Sequence, residues 1–155
     1  GFEVIGRDGQ SLTEKWRNGV RTFHGLCVHG LPNCFIESIA QAGFTVNFPY
    51  LLDVQANHVA WIIASALTRG FREVEASAGA EAAWVETVRR RSAATAQRAE
   101  SCTPGYYNRE GQANEKTRQG SFFFGQPTEY ADVLAAWRRN GDLDGLEIRT
   151  EQDAR

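Results

Sequence analysis

The chain has 155 residues, 42% of them apolar and 23% charged, a composition that folds around one core burying about 68–70% of the unfolded surface and excludes an intrinsically disordered segment. Its 17 Lys and Arg against 19 Asp and Glu leave a formal net charge of -2, which provides no field to collect phosphates or acidic lipids and argues against nucleic acid as a partner. The longest apolar stretch is broken by Asp53, Gln55, Asn57 and His58 before it reaches the ~18 residues of a membrane span, and the first residues lack the basic and apolar regions of a secretion signal, so neither membrane nor export is expected.

In chain order, Ser11 followed by Glu14 forms a capping-box pattern that predicts a short helix over residues 12–17, closed by Asn18 and Gly19. The stretch VRTFHGLCVHG, the turn Leu31-Pro32-Asn33 and the stretch CFIESIA then predict two short strands around a Pro-Asn turn. From Pro49 to Arg69, Leu52, Ala56, Val59, Ile63 and Ala66 recur at helical spacing, with Pro49 in the first turn and Gly70 as the stop. FREVEAS reads as extended. Ser77 then caps a second helix to about Arg98, with Ala80, Trp84 and Val88 on one face, a Glu86 to Arg90 pair, and Arg89, Arg90 and Arg91 as a solvated run. Residues 101–121 have no period and read as a long loop. FFFGQ reads as a short buried strand. Thr128 caps a third helix with Tyr130, Val133, Leu134 and Trp137 on one stripe, stopped at Asn140-Gly141, and the tail EQDAR is expected to be disordered.

Little chemistry stands out from residue types alone. Cys27, His29 and Cys34, with His24 or Cys102 as a fourth candidate, lack the knuckle spacing of a structural zinc site, so no metal is expected. Three cysteines at no scaffold spacing fit reduced thiols in the cytoplasm. Cys34 or Cys102 beside His58 is a conceivable nucleophilic pair, but nothing in the pattern orients it. Gly-rich phosphate signatures are absent. The junction before the long helix is more promising: Val46, Asn47 and Phe48 sit where a helix end offers unpaired amides and about half a positive charge, able to meet an anion or a carbonyl gaining charge. Ordinary capping by Asn47 accounts for the same residues.

Taken in order, GRDGQSLTEKWRNGVRTFHGLCVHGLPNCF, VQANHVAWI, AEAAWVETV and CTPGYYNREGQ resemble the carboxy-terminal third of flavin-dependent Baeyer-Villiger monooxygenases. The resemblance runs from about Val4 to Ile148 and is most specific at the turn Gly30-Leu31-Pro32-Asn33, at Trp61 and Trp84, and at residues 103–108. It implies an α+β, helix-rich fold of three main helices with a short β-hairpin, the last part of a flavoprotein with two dinucleotide-binding domains. Residues 1–70 would belong to the FAD-binding domain, 71–148 to a family extension, and 149–155 to a tail. The implied parent binds FAD and NADPH and inserts one oxygen of O2 beside a ketone carbonyl. The family's dinucleotide fingerprints and catalytic arginine precede the matched region, so no catalytic residue and no bound cofactor are expected in this chain alone.

Within the resemblance, Val46, Asn47 and Phe48 match the flavin-side loop and helix start. Many members carry a Gly-Pro pair where this chain reads Glu37-Ser38-Ile39-Ala40-Gln41-Ala42-Gly43, which suggests a subgroup with another substrate range. The absence of Met, even at position 1, adds the expectation of a longer parent chain. An isolated piece is expected to form homodimers or exchange strands through edges near Phe23 to Val28. The alternative is a free-standing binding module acting through its 103–108 loop.

Overall fold

A computed structural model describes residues 2–100, 119–126 and 128–154. Its elements are α1 (Leu12–Lys15), α2 (Phe48–Thr68), β1 (Phe71–Ala76), α3 (Ala78–Glu100), α4 (Glu129–Asn140) and β2 (Leu146–Thr150), with short 3-10 turns at Arg7–Gly9 and Glu151–Ala154. The long loop reading over 101–118, with Cys102, lies outside the described residues.

Helix ends follow local chemistry. The Ser11 hydroxyl accepts from the Glu14 amide at 3.0 Å, half of the capping box, while the Glu14 carboxylate turns away to Arg17. Asn47 caps α2, Pro49 sits in its first turn, and Gly70 at φ 72° follows its end. Ser77 Oγ accepts from the Ala80 amide at 3.1 Å to start α3. α4 ends at Gly141 in the left-handed conformation. Its start differs from expectation: Thr128 makes no side-chain cap, and Glu129 Oε2 takes the Gln126 amide instead.

One antiparallel pair forms the sheet, β1 with β2, in the register Glu73 to Arg149, Val74 to Ile148 and Ala76 to Leu146. These strands are separated by α3 and α4, so the sheet is not the hairpin anticipated over residues 20–40. That segment carries only isolated bridges, Phe23 to Cys27 and Cys27 to Phe35. The reason is conformational: His24, Gly25, Gly30, Asn33 and Gln41 all have positive φ, and such residues end extended backbone. Phe23 through Val28 are buried, so no exposed strand edge exists there. Asn33 instead docks beside β1. Its amide donates to the Val74 carbonyl (2.9 Å), its Oδ1 accepts from the Val74 amide (3.1 Å), and its Nδ2 donates to the Arg72 carbonyl (2.9 Å).

FFFGQ also contributes a bridge rather than a strand, Phe123 lying parallel to Gly43. Nor is the tail without structure: Arg149 and Thr150 lie in β2, and Asp153 Oδ2 accepts from both the amide and the hydroxyl of Thr150, closing the last turn.

Among the described residues, an apolar core joins Leu26, Ile62, Trp84, Val88, Phe123 and Leu134 from before, within and between the three long helices. The buried stripe of α2 is Leu51, Gln55, His58, Ile62 and Ala66. It lies one residue away from the anticipated stripe at most positions; Ala56 and Ile63 face solvent. Arg91 likewise leaves the expected solvated run, placing its guanidinium 4.0 Å over the Phe123 ring and pairing with Glu129.

The start of the chain is tied on by charge. Arg7 reaches Glu75 (2.6 Å) and Glu73 (3.0 Å), while buried Glu81 in the first turn of α3 collects Arg21 (3.1 Å), Lys15 (3.4 Å) and the His29 amide (3.0 Å). A carboxylate so deeply buried needs this many partners.

Candidate functional site

Among the described residues, four exposed apolar or aromatic side chains gather at the tip of α2. Val46 is 99% exposed, Phe44 48%, Phe48 44% and Tyr50 36%, and Phe44 stacks at a tilt on Phe122 and Phe124 with ring centroids 5.1 and 5.5 Å away. Asn47 fulfils its capping role: its Oδ1 accepts from the Tyr50 amide at 3.2 Å, and its own amide donates to Thr45 Oγ1 at 3.1 Å. Pro49 has no N–H to satisfy. Among the described residues, the amides of Val46 and Phe48 are left without a protein partner.

Electrostatically this end is bare. The first turn of the 21-residue helix holds no acidic residue, so its partial positive charge is not neutralised from within. Exposed apolar surface around unpaired amides suits a flat ligand with an electron-rich edge. The structure thus brings Val46, Asn47 and Phe48 together at one tip, with Asn47 turned inward to the helix and the amides on either side open.

What fixes the tip is a buried polar node that residue patterning does not reveal. Gln41 is fully buried. Its Oε1 accepts from the Thr22 amide (2.9 Å) and hydroxyl (2.6 Å), and its Nε2 donates to the Val20 and Gln119 carbonyls (2.9 and 2.8 Å). Its backbone carbonyl accepts from Trp84 Nε1 at 3.0 Å. One side chain therefore joins three stretches just ahead of the approach to α2. Glycine is required on both sides of it: a Cβ on Gly25, at φ 73°, would lie 2.9 Å from the Gln41 carbonyl oxygen, and one on Gly43 would lie 2.8 Å from Tyr130 Cβ.

Beneath the node lies a histidine pair. His24 Nδ1 and His58 Nε2 are 3.3 Å apart, and Arg138 Nη1 is 3.1 Å from His58 Nδ1. The rings are packed among Phe23, Trp84 and Trp137, and Tyr130 donates to the His24 carbonyl at 2.6 Å. Burial, then the neighbouring Arg138 charge, pushes His58 down to about 4; burial, then His58, holds His24 well below the usual histidine range. Both are neutral at physiological pH. His58 is thus paired with His24 and Arg138 rather than with a thiol, which removes the Cys34 version of the nucleophilic pair. The Cys27 thiol, buried and beside Cys34, is pushed up to about 12 and is inert as a nucleophile. Among the described residues no three His, Cys, Asp or Glu side chains gather as metal ligands, and no helix is long and apolar enough to cross a membrane.

No family model matches the chain. It is 47% identical over 149 residues to neopentalenolactone D synthase of Streptomyces avermitilis, covering 96% of this chain and 25% of that protein. It is 42% identical over 147 residues to an FAD-binding monooxygenase of Hypomyces subiculosus (95% and 24%) and 36% identical over 154 residues to Baeyer-Villiger monooxygenase 4 of a Dietzia species (99% and 25%). Among solved structures it superposes on the polycyclic ketone monooxygenase of Thermothelomyces thermophila with a TM-score of 0.85 and 33% identity, over 96% of this chain and 24% of that one. It also superposes on an oxidized steroid monooxygenase bound to NADP, with a TM-score of 0.79 and 26% identity, over 96% and 27%. The chain spans about a quarter of the length of the proteins it matches, and with that fold and those relatives it belongs to the flavin-dependent Baeyer-Villiger monooxygenases, as a carboxy-terminal part of such an enzyme.

Proposed function

We propose that the chain is the flavin-side support of an FAD- and NADPH-dependent monooxygenase that inserts one oxygen atom of O2 next to a ketone carbonyl, and that it is inactive by itself. The bare α2 tip carries this reading: two unpaired amides, no acidic residue in the first turn, and an apolar collar. In balance, ketone, O2, NADPH and a proton become ester, water and NADP+; the flavin, when bound, supplies the electron transfer that divides O2 between ester and water.

The residues of this chain would act by binding and orientation. The Val46 and Phe48 amides offer donors to an electron-rich ring edge, and the helix dipole favours negative charge there. Asn47, spent on the cap, holds the turn so that those amides face outward. Phe44 and Phe48 exclude water from the same face. The unpaired thiols of Cys27 and Cys34 fit a cytoplasmic setting.

The test is Val46→Asp in the full-length enzyme. Val46 touches almost nothing here, so folding of this part stays intact while a carboxylate now opposes the charge that the tip should welcome. FAD retention through gel filtration should fall at least ten-fold, and unchanged retention would refute the role of the tip. The chain by itself, mixed with FAD, should leave the flavin spectrum unperturbed; stoichiometric binding would contradict its dependence on the rest of the enzyme. With the Phe23 to Val28 segment buried, the self-association expected of the isolated chain falls to the apolar tip. Sedimentation should show dimers that Val46→Asp dissociates, and a clean monomer at high concentration would exclude them.

A further inference from the structure

A second site stands apart from the α2 tip. Between α3, α4 and the start of β2 lies an open cleft of about 520 Å3, whose walls include Phe23, His24, Trp84, Thr87, Trp137 and Asp144. That volume is within the usual range for small-molecule sites. No Lys or Arg lines it and one carboxylate does, which disfavours anions. The Trp84 and Trp137 N–H groups are already committed, to the Gln41 and Asp144 carbonyls at 3.0 and 2.8 Å, so neither indole offers a donor; Trp84 is buried with its ring stacked on Phe123, and the half-buried Trp137 presents the larger apolar surface.

The polar group at the bottom of the cleft is His24, only 5% exposed. Its tautomer is fixed by a chain of hydrogen bonds that begins at Arg138. A guanidinium only donates, so His58 Nδ1 accepts from it and His58 carries its proton on Nε2. His58 Nε2–H then donates to His24 Nδ1. His24 must therefore carry its proton on Nε2, the nitrogen on the other side of the ring, which has no protein partner among the described residues. The result is an oriented N–H donor, still reached by solvent, on a histidine that lines a cleft with aromatic walls.

We propose that this cleft binds a neutral, planar, apolar molecule bearing a hydrogen-bond acceptor of the carbonyl type, with that oxygen on His24 Nε2–H and the ring system against Trp137. A ligand without the acceptor would leave the histidine donor buried and unpaired, which is how such a site discriminates. The reading does not depend on the flavin role of the α2 tip.

The experiment uses the full-length enzyme labelled with 15N-histidine, with the His24 Nε2 resonance assigned by its loss in His24→Asn, a residue that tolerates the positive φ found there. Coumarin serves as the probe, and 2H-chromene, the same ring skeleton without the carbonyl, as its control. Coumarin should shift the His24 resonance saturably, at least ten-fold more tightly than chromene. Ala83→Trp, placed on the solvent-facing surface of α3 at the cleft wall, should abolish the shift while the flavin absorbance stays as in the parent enzyme. Because the signal is local to His24, binding of coumarin elsewhere in the enzyme does not mimic it. No shift at saturating coumarin, equal affinity for chromene, or an undiminished shift in Ala83→Trp would each overturn the proposal. A cleft found closed to coumarin because another part of the enzyme fills it would overturn it too.

Discussion

The middle of α2 and its tip obey opposite rules. In the middle, polar Gln55 and His58 are fully buried, whereas at the tip Val46 and Phe48 stand in solvent beside unpaired amides. The middle is mostly satisfied from within: His58 has a partner on each ring nitrogen and Gln55 Nε2 donates to the Ser38 carbonyl at 3.0 Å. The tip has no such closure. A polar interior that meets its own needs but for the buried Gln55 Oε1 builds a rigid mount, and an apolar exterior with open amides points to something that covers it.

The strongest way to break that contrast is to empty the mount. Gln41→Leu leaves the Thr22 amide and the Gln119 carbonyl without their partner, takes one of two donors from the Val20 carbonyl, which keeps Gln119 Nε2, and places a branched residue at φ 58°. The expected loss is about 4 kcal/mol, read as a lower urea midpoint.

Acid should act on the same region more gradually. His58 titrates near 4 when folded against an ordinary value near 6.5 when unfolded. Below pH 6.5 the unfolded chain takes up a proton that the folded chain refuses, so stability is complete above pH 6.5 and falls until about pH 4. The span amounts to about 3 kcal/mol from this residue, and His24, lowered for the same reason, adds in the same direction. Urea midpoints measured from pH 7.5 to 4.5 should trace this slope, and His58→Gln should flatten it.

A smaller effect sharpens the link between mount and tip. Gly43→Ala forces a methyl against Tyr130 and should cost about 1–3 kcal/mol, since such overpacking must move either the loop or α4. In the full-length enzyme it should also weaken FAD retention, whereas a comparable destabilisation at the α1 end, by Ser11→Ala, should not.

Much of the scaffold is legible in the residues. Pro49 and Gly70, Ser77, and Asn140-Gly141 mark where the long helices begin or stop because each acts through its own backbone geometry or cap. Patterning goes astray where side chains replace backbone or where polar groups enter the core. The α2 stripe is displaced because Gln55 and His58, polar by composition, are in fact interior. Residues 20–40 read as strands since Phe23, Leu26 and Val28 are apolar at short spacing, yet His24, Gly25 and Gln41 turn the chain through positive φ. LEIRT gives a weak strand signal alone and needs β1 beside it to form β2. Val46, Asn47 and Phe48 are visible as a helix start, but the bareness of that end depends on what folds around it, and Gln41 and the histidine pair are silent until three distant stretches converge.

Asn33 carries one last consequence. With β2 on one flank of β1 and an asparagine imitating a strand on the other, the Arg72 carbonyl and both main-chain groups of Val74 are already taken. A foreign peptide has no free ladder to extend on that flank, so a single side chain acts as a stopper against fibril-like growth. Asn33→Ala would uncork it, and the sign would be thioflavin-positive aggregates formed without prior unfolding.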